Sequence, residues 1–454
     1  MNTENENVEK FSQSITFKAI IIGSLTLLML IPGMMIQNLI QERKVRSTET
    51  IEKINAKWSN AQTINGPVLT VPYTTTSTDA NNKSILERHF FNLAPEELNI
   101  KAKLFPEVRH YGIYKTILYK SELQISGNFN KIDNQSFEGG VIHWNEAFLT
   151  IGVSDLRGIT NNIDFVLEGC HYTAEAGGKT ENGIVGKGLV VTPDNAALFQ
   201  AGKSLHFSCN LSLNGSSDMN FIPLGKITKV QMSGAWKSPG FIGSFSPEYK
   251  LNEKDFTATW NVLHFNRDIP ESWIDKDIES FQDSSFGVNL VDPVDHYQQN
   301  MRSAKYAFMF IALTFVVFFF VEILTRKKIH PIQYLLVGIA LILFYSLLLS
   351  ISEQLNFGFA YLIASAATIG LITIYAQSIF KNALQTSILA TILSVLYVFL
   401  YVVLQLEDIA LLIGSIGLFL ILGIIMYFSR KINWYKHDEE LITNSEILNT
   451  EITE

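Results

Sequence analysis

Five apolar stretches crowd the last third of this chain, and a sixth stands alone near its start. Nothing else in the sequence constrains the fold as strongly. A run of about 20 apolar residues crosses the hydrocarbon core of a bilayer as a helix, at ~1.5 Å per residue. Helices and closed barrels alone satisfy the backbone there. The runs predict spans at Lys18–Ile40, Tyr306–Leu324, Ile332–Ser352, Phe357–Phe380, Gln385–Leu406 and Ile409–Phe428. Residues 41–305 lie between the first span and the second, and they read as water-soluble and β-rich. The expected fold is a membrane protein with six transmembrane α-helices, one N-terminal and five C-terminal, plus a large β-rich, sandwich-like periplasmic domain. Short tails at 1–17 and 429–454 complete the chain.

Composition agrees. Charged residues make up 17% of the 454, against about 25% in soluble proteins. The net charge of −8 argues against nucleic acid as a partner, which needs a basic face. The tail after His437 carries Asp438, Glu439, Glu440, Glu446, Glu451 and Glu454 and no base, so it reads as a solvated end. The first apolar run (Ala19–Ile36) exceeds the core of a signal peptide and lacks a small-residue cleavage site, so it reads as an uncleaved anchor. Pro32-Gly33 should kink it.

Basic residues in the short connections orient the chain. Arg326, Lys327 and Lys328 lie between spans two and three, Lys381 between four and five, and Arg430, Lys431 and Lys436 after span six. The connections Glu353–Asn356 and Glu407-Asp408 hold no base. Both termini are therefore expected in the cytoplasm, with the large domain outside. Arg43, Lys44 and Arg46, just past span one, oppose this orientation.

Past the first span, Ile51, Ile54 and Trp58 recur at helical spacing, so the span should continue as a stalk until Asn65-Gly66-Pro67 stops it. Strand patterns follow at Val68–Tyr73, Ile113–Ile125, Phe148–Val153, Ile163–Leu167, Leu205–Leu213, Ile227–Ser233 and Phe256–Phe265. Asn214-Gly215, Gly177-Gly178, Asn182-Gly183 and Pro239-Gly240 read as turns. The strands suit a β-sandwich or two related subdomains dividing near Gly177–Gly188. Asp292-Pro293-Val294-Asp295 resembles a helix start, with the helix running through Tyr297, Met301 and Lys305 straight into span two.

Three stretches match a known family. One is Trp58-Ser59-Asn60-Ala61-Gln62 with Gly66-Pro67-Val68-Leu69 and Val71-Pro72-Tyr73. The second runs from Phe286-Gly287-Val288 through Pro293-Val294-Asp295-His296-Tyr297-Gln298 to Phe310-Ile311-Ala312-Leu313-Thr314-Phe315. The third is His330-Pro331-Ile332-Gln333-Tyr334-Leu335-Leu336-Val337-Gly338, continuing to Ser350-Ile351-Ser352-Glu353. Together they resemble the CreD family of bacterial inner-membrane proteins, also called the cell envelope integrity family, from about Phe17 to Phe428. The resemblance implies a place in the envelope-stress and β-lactam-response network. It implies no catalytic activity, and no active-site residue is carried over.

The residues themselves offer few centres of chemistry. Glu353, near Ser346, Ser350 and Ser352, is the strongest polar candidate in the bundle. An intramembrane acid suggests a proton or substrate site, whereas a carboxylate where span three ends is an interface group. Glu322 lies near an end of span two within reach of Arg326, four residues on. No Lys, Arg, Asp or His occupies the middle of a span, which disfavours an ion-coupled transporter. Every His lies outside the spans and H-E-x-x-H is absent, which disfavours intramembrane proteolysis. Gly414-Ser415-Ile416-Gly417, Ala360/Ala364/Thr368 and Ala366/Gly370 suit close helix packing.

Seven histidines scatter through the outer domain without metal-ligand spacing, so no cofactor or metal is expected. Trp144, Trp236, Trp260 and Trp273 suit a core better than a sugar-binding face. Cys170 and Cys209 are the two cysteines, and an oxidising periplasm permits a disulfide between them. The first expectation is a non-enzymatic protein that supports or senses envelope integrity, partnered by the lipid bilayer and by periplasmic or inner-membrane proteins. A transporter or lipid-handling bundle centred on Glu353 is the alternative, and a periplasmic hydrolase is the third class.

Overall fold

Ridges of apolar side chains build one half of the protein and period-two strands build the other. The computed structural model describes residues 15–78, 84–137, 139–177, 188–200, 202–275, 278–290, 295–325, 329–406 and 409–430. The expectations for both tails, Arg326 to Lys328, Glu407-Asp408, Asn182-Gly183 and the start of the Asp292 motif lie outside these residues. The chain divides into two compact units: one joins Met1–Arg46 to Val294–Glu454, and the other is Ser47–Pro293.

The first unit is helical. It holds α1 (Ile15–Leu28), the start of α2 (Leu30–Trp58), α3 (His296–Lys305), α4 (Ala307–Thr325), α5 (Pro331–Ser352), α6 (Phe357–Phe380), α7 (Ala383–Gln405) and α8 (Ala410–Ser429). Among the described residues, four helices are long and apolar enough to cross a membrane: Phe17–Trp58, α5, α6 and α7. A fifth results if His296–Lys305 and Ala307–Ile323, bent by 44°, form one broken span. The sixth expected span coincides with α8, whose described apolar stretch, Leu412–Tyr427, is shorter.

Two local expectations change. The chain does not run straight into α4, because α3 ends at Lys305 and the 44° bend follows at Tyr306. The cap of α3 is Asp295, whose carboxylate accepts from the N–H groups of Tyr297 and Gln298. Pro32 does not stop the N-terminal helix, which runs on from Phe17 to Trp58 with a one-residue irregularity at Met29. Proline has no N–H to offer the carbonyl four residues back, so the ladder loosens one turn upstream.

Elsewhere the caps are local. His330 and Gln333 form a reciprocal capping box at α5 with Pro331 at its first position, and Asn356 and Asn382 cap α6 and α7. The core of this unit is Phe310, Phe315, Phe318, Phe344, Leu348, Leu389 and Leu393, closed by Ala360 and Ala364. Ala360, Ala364 and Thr368 are buried as expected. Ala366 is exposed, and Gly370 and Gly414 have no neighbour within 4 Å of an added Cβ, so these do not pack. Gly417 does, against the Phe399 ring.

The second unit is a β-sandwich. In order come β1 (Gln62–Thr78), β2 (Ser84–Leu93), β3 (Glu97–Tyr111), β4 (Tyr114–Phe129), β5 (Val141–Ile142) and β6 (Phe148–Val153). Next are β7 (Asp164–Leu167), β8 (Cys170–Thr173), β9 (Glu175–Ala176), β10 (Gly188–Val191), β11 (Leu205–Ser216) and β12 (Asp218–Phe221). Last come β13 (Ile227–Gly234), β14 (Pro239–Gly243), β15 (Glu248–Leu251), β16 (Phe256–Leu263), β17 (Ser272–Ile274) and β18 (Phe286–Leu290). One sheet runs β14-β18-β12-β1-β6-β10-β9, with β2 and β5 also on β1 and β17 on β2; the other runs β15-β16-β13-β3-β4-β11-β7-β8.

Both sheets contribute to one core, in which β11 alternates perfectly from Leu205 to Leu213. A division near Gly177–Gly188 is ruled out. The parallel pairs β1/β12 and β3/β13 stitch the early and late halves into the same sheets.

Three turn readings are corrected here. The stalk helix ends at Trp58, and Asn65-Gly66-Pro67 sits inside β1 as a bulge. Gly66 is required there: its φ is +89°, and a Cβ would come 2.7 Å from the Thr150 carbonyl. Asn214-Gly215 continues β11, opposite Lys120 and Tyr119, and the chain turns at Ser217 instead. Gly215 serves close approach, since a Cβ would meet the Tyr119 hydroxyl at 2.3 Å. Pro239-Gly240 begins β14.

Candidate functional site

The polar chemistry of the helical unit gathers at two carboxylates. Glu353 ends α5 with its side chain 10% exposed. It accepts from the Tyr297 hydroxyl at 3.2 Å and faces the Arg43 guanidinium at 3.9 Å. Beside it, Asn300 Nδ2 donates to Ser352 Oγ and to the His296 carbonyl, both at 2.7 Å, and Ser352 Oγ donates to the Leu349 carbonyl. Lys44 pairs with Asp295 at 3.1 Å. Of the three serines expected around Glu353, only Ser352 joins this group; Ser350 is exposed and Ser346 half-buried.

Glu322 is the deeper of the two. It is buried on α4, paired with Lys18 of α1 at 2.5 Å. The Tyr334 hydroxyl donates to it at 2.9 Å and the Ile329 N–H at 3.1 Å. A neighbour on its own helix was expected, and Arg326 lies outside the described residues. The signal that identifies Lys18 is depth: it opens the first span and Glu322 closes the second, so antiparallel spans bring them level. From Tyr334 to Glu353 the axis of α5 covers ~28 Å, nearly the thickness of a hydrocarbon core. The two carboxylates therefore mark opposite ends of the helical layer, away from the midplane where transporters bind substrate. Each carboxylate holds helices together through ion pairs and hydrogen bonds.

In the β unit a third polar centre fastens the end of α2 to the sandwich. Arg157 donates to the Ala56 carbonyl at 2.7 Å and bridges to Asp155 at 2.7 Å. Asp155 also accepts from the Asn60 N–H at 3.0 Å. Buried Gln62 donates to Ser59 Oγ and to the carbonyls of Asp155 and Asn214. Thr116 donates to Asn55 Oδ1, and the Arg109 guanidinium stacks 4.6 Å from the Trp58 ring.

The Arg157 guanidinium beside Asp155 holds its carboxyl at about 2. The unfolded value is about 3.9, so the carboxylate stabilises the fold above that pH, and the contribution fades as pH falls through 2. Asp155→Asn is expected to cost about 1.5–3 kcal/mol at neutral pH, the usual worth of charge-assisted hydrogen bonds. The deficit should shrink below pH 3. Urea unfolding of the full-length protein, followed by tryptophan fluorescence at pH 7 and pH 2.5, measures both.

Other candidates resolve plainly. His89 has Nε2 3.1 Å from Thr75 Oγ1 and Nδ1 2.8 Å from Asp275 Oδ2, the connectivity of a hydroxyl–imidazole–carboxylate relay. Glu87 stands 3.9 Å from the same Nε2, and Asp275 also accepts from the Phe90 N–H. The group lies on the β1/β2 hairpin and ties β2 to the residue that follows β17. His143, His171 and His206 meet Thr74, Asp164 and Glu168 respectively. Among the described residues no three His, Cys, Asp or Glu side chains gather to hold a metal ion.

Trp260 and Trp273 are buried, and Trp144 and Trp236 pack partly buried against the core. Cys170 and Cys209 are free thiols, not a disulfide: Cys170 is exposed on β8 and Cys209 faces the core from β11, where burial pushes its thiol up to about 12.

A family model described as inner membrane protein CreD matches residues 14–435. The chain belongs to the CreD family. Inner membrane protein CreD of Escherichia coli strain K12 is 31% identical over 437 residues, covering 93% of this chain and 95% of that protein. The CreD match spans the sandwich and both carboxylate centres.

Proposed function

We propose that this chain is a non-enzymatic, six-span inner-membrane protein that supports or senses envelope integrity. Both termini lie in the cytoplasm, and the β-sandwich lies in the periplasm, where it binds envelope partners or ligands. What supports the orientation is the alternation of base-bearing and base-free connections through the C-terminal spans; Arg43 and Lys44, which pair with Glu353 and Asp295, stand against it. These two cations are the sequence's main signal against a periplasmic sandwich, and each has a carboxylate partner beside it. The bias counts Lys and Arg rather than net charge, so their signal stands, and the longer alternation through the C-terminal spans outweighs it. The family name supports the membrane.

Two measurements test this reading. Protease added to intact spheroplasts is expected to cut exposed segments of the sandwich and to spare the Arg326 connection; the reverse pattern refutes the orientation. In-cell photo-crosslinking from the sandwich under cell-wall stress is expected to capture envelope components, and a clean blank would remove the binding role.

A further inference from the structure

The N-terminal helix is the least packed span of the helical unit. Its most apolar window is 17% buried, against 50%, 39% and 39% for α5, α6 and α7. Between Phe17 and Arg46 the fully buried residues are Thr26, Met29 and Ile40. Thr26 donates to the Ile22 carbonyl of its own helix. Gly23 and Gly33 look onto open space, with no neighbouring atom within 4 Å of an added Cβ. In a bilayer, helices are held by close packing and by polar contacts, because lipid tails are as apolar as the side chains they replace. Where packing is sparse, retention falls on the polar contacts.

Those contacts sit at the two ends. Lys18 grips Glu322 at one end; Arg43, Lys44 and Gln37 engage Glu353, Asp295 and the Ala304 carbonyl at the other. Lys18 and Arg43 are separated by ~38 Å of helix, which continues between them through a one-residue irregularity at Met29. The ends are unequal. Glu322 is 6% exposed and pairs at 2.5 Å, whereas Arg43 and Lys44 are 44% and 45% exposed and the Arg43 contact is 3.9 Å. Salt screens exposed pairs far more than buried ones.

We propose that α1 and the first half of α2 form a strap held to the helical unit by charge, and that the strap lets go at its Arg43–Lys44 end while Lys18 stays clasped. The claim concerns the helical unit alone and stands whether or not the sandwich binds an envelope partner. Since α2 continues as one helix through Trp58, release at Arg43 is the step by which an event along that helix would alter the bundle.

The test uses the full-length protein in membranes, with Cys170→Ser and Cys209→Ala removing the native thiols. Gln37→Cys and Ala304→Cys report the strap end, joined by a short bifunctional thiosulfonate. Glu353→Gln with Asp295→Asn removes both charges while keeping the Tyr297 bond and the α3 cap. The cross-linking rate is expected to fall about tenfold, the population change that ~1.4 kcal/mol produces. The unfolding midpoint should stay within about 2 °C of the parent, no more than ~1 kcal/mol shifts a domain of 150–250 residues.

Raising the parent to 1 M salt should lower the rate in the same direction, which needs no substitution at all. An unchanged rate in the charge-removed variant and in high salt would show that packing holds the strap. A rate that falls only with a collapse of the midpoint, and not in salt, would also overturn the proposal.

Discussion

Lys18→Met is expected to destabilise the helical unit by about 3–5 kcal/mol, because it strands a buried carboxylate without its counter-charge. Glu322 is 6% exposed at the side chain, and its remaining partners, Tyr334 and Ile329 N–H, are neutral donors that offset only part of the loss. The double variant Lys18→Met with Glu322→Gln should recover most of it, since the amide oxygen still accepts from the Ile329 N–H, the amide nitrogen can donate to the Tyr334 hydroxyl oxygen, and no charge remains buried. Thermal unfolding in detergent measures all the variants. A single variant as stable as the parent would mean that water reaches Glu322.

The second large effect belongs to the sandwich. Trp260→Ala should cost about 3–5 kcal/mol, the range for removing a large aromatic from a packed core. Trp260 is 1% exposed, lies 5.3 Å from the Phe286 ring and 6.1 Å from the Phe241 ring, and donates Nε1 to the Phe245 carbonyl at 3.0 Å. Phe265→Ala is the matched control. That ring is 84% exposed, and surface changes of this kind stay within about 0.5 kcal/mol. Urea midpoints separate the two. Equal losses would contradict the core assignment and reopen a ligand-facing role for Trp260.

Strands announce themselves when inward and outward positions differ in chemistry. β7, β11, β13 and β16 were readable for that reason, with mostly apolar residues at their buried positions and mostly polar ones between them, whereas β6 is buried at all six positions and was readable as a short run of strand-forming residues. β3 escapes the same reading although it is central in its sheet. Its inward set is Leu98, Ile100, Ala102 and Leu104, while Glu, Asn, Lys and Pro106 dilute the strand signal. Turn residues misled for the opposite reason. Asn214-Gly215 and Asn65-Gly66-Pro67 look like turns locally, yet a ring across the ladder and a carbonyl on the neighbouring strand are what require glycine. Those neighbours are distant in sequence, so no local pattern contains them.

The candidate site divides in the same way. Glu353 and its place at a helix end follow from hydropathy alone, because a carboxylate at the margin of an apolar run stays at the margin. Its partners Tyr297 and Arg43 come from two other helices, and Glu322 finds Lys18 across 304 positions.

Apolar periodicity, length and charge bias by themselves determined that this chain enters a membrane and that a β-rich module interrupts its helices, while the residues of three local stretches carry its resemblance to CreD proteins. These are properties of single segments, and solvent acts on each segment separately. Tertiary structure decided which charges meet, which glycines are obligatory and that two sheets share strands from both halves, because pairing energies depend on distances that a linear order does not contain.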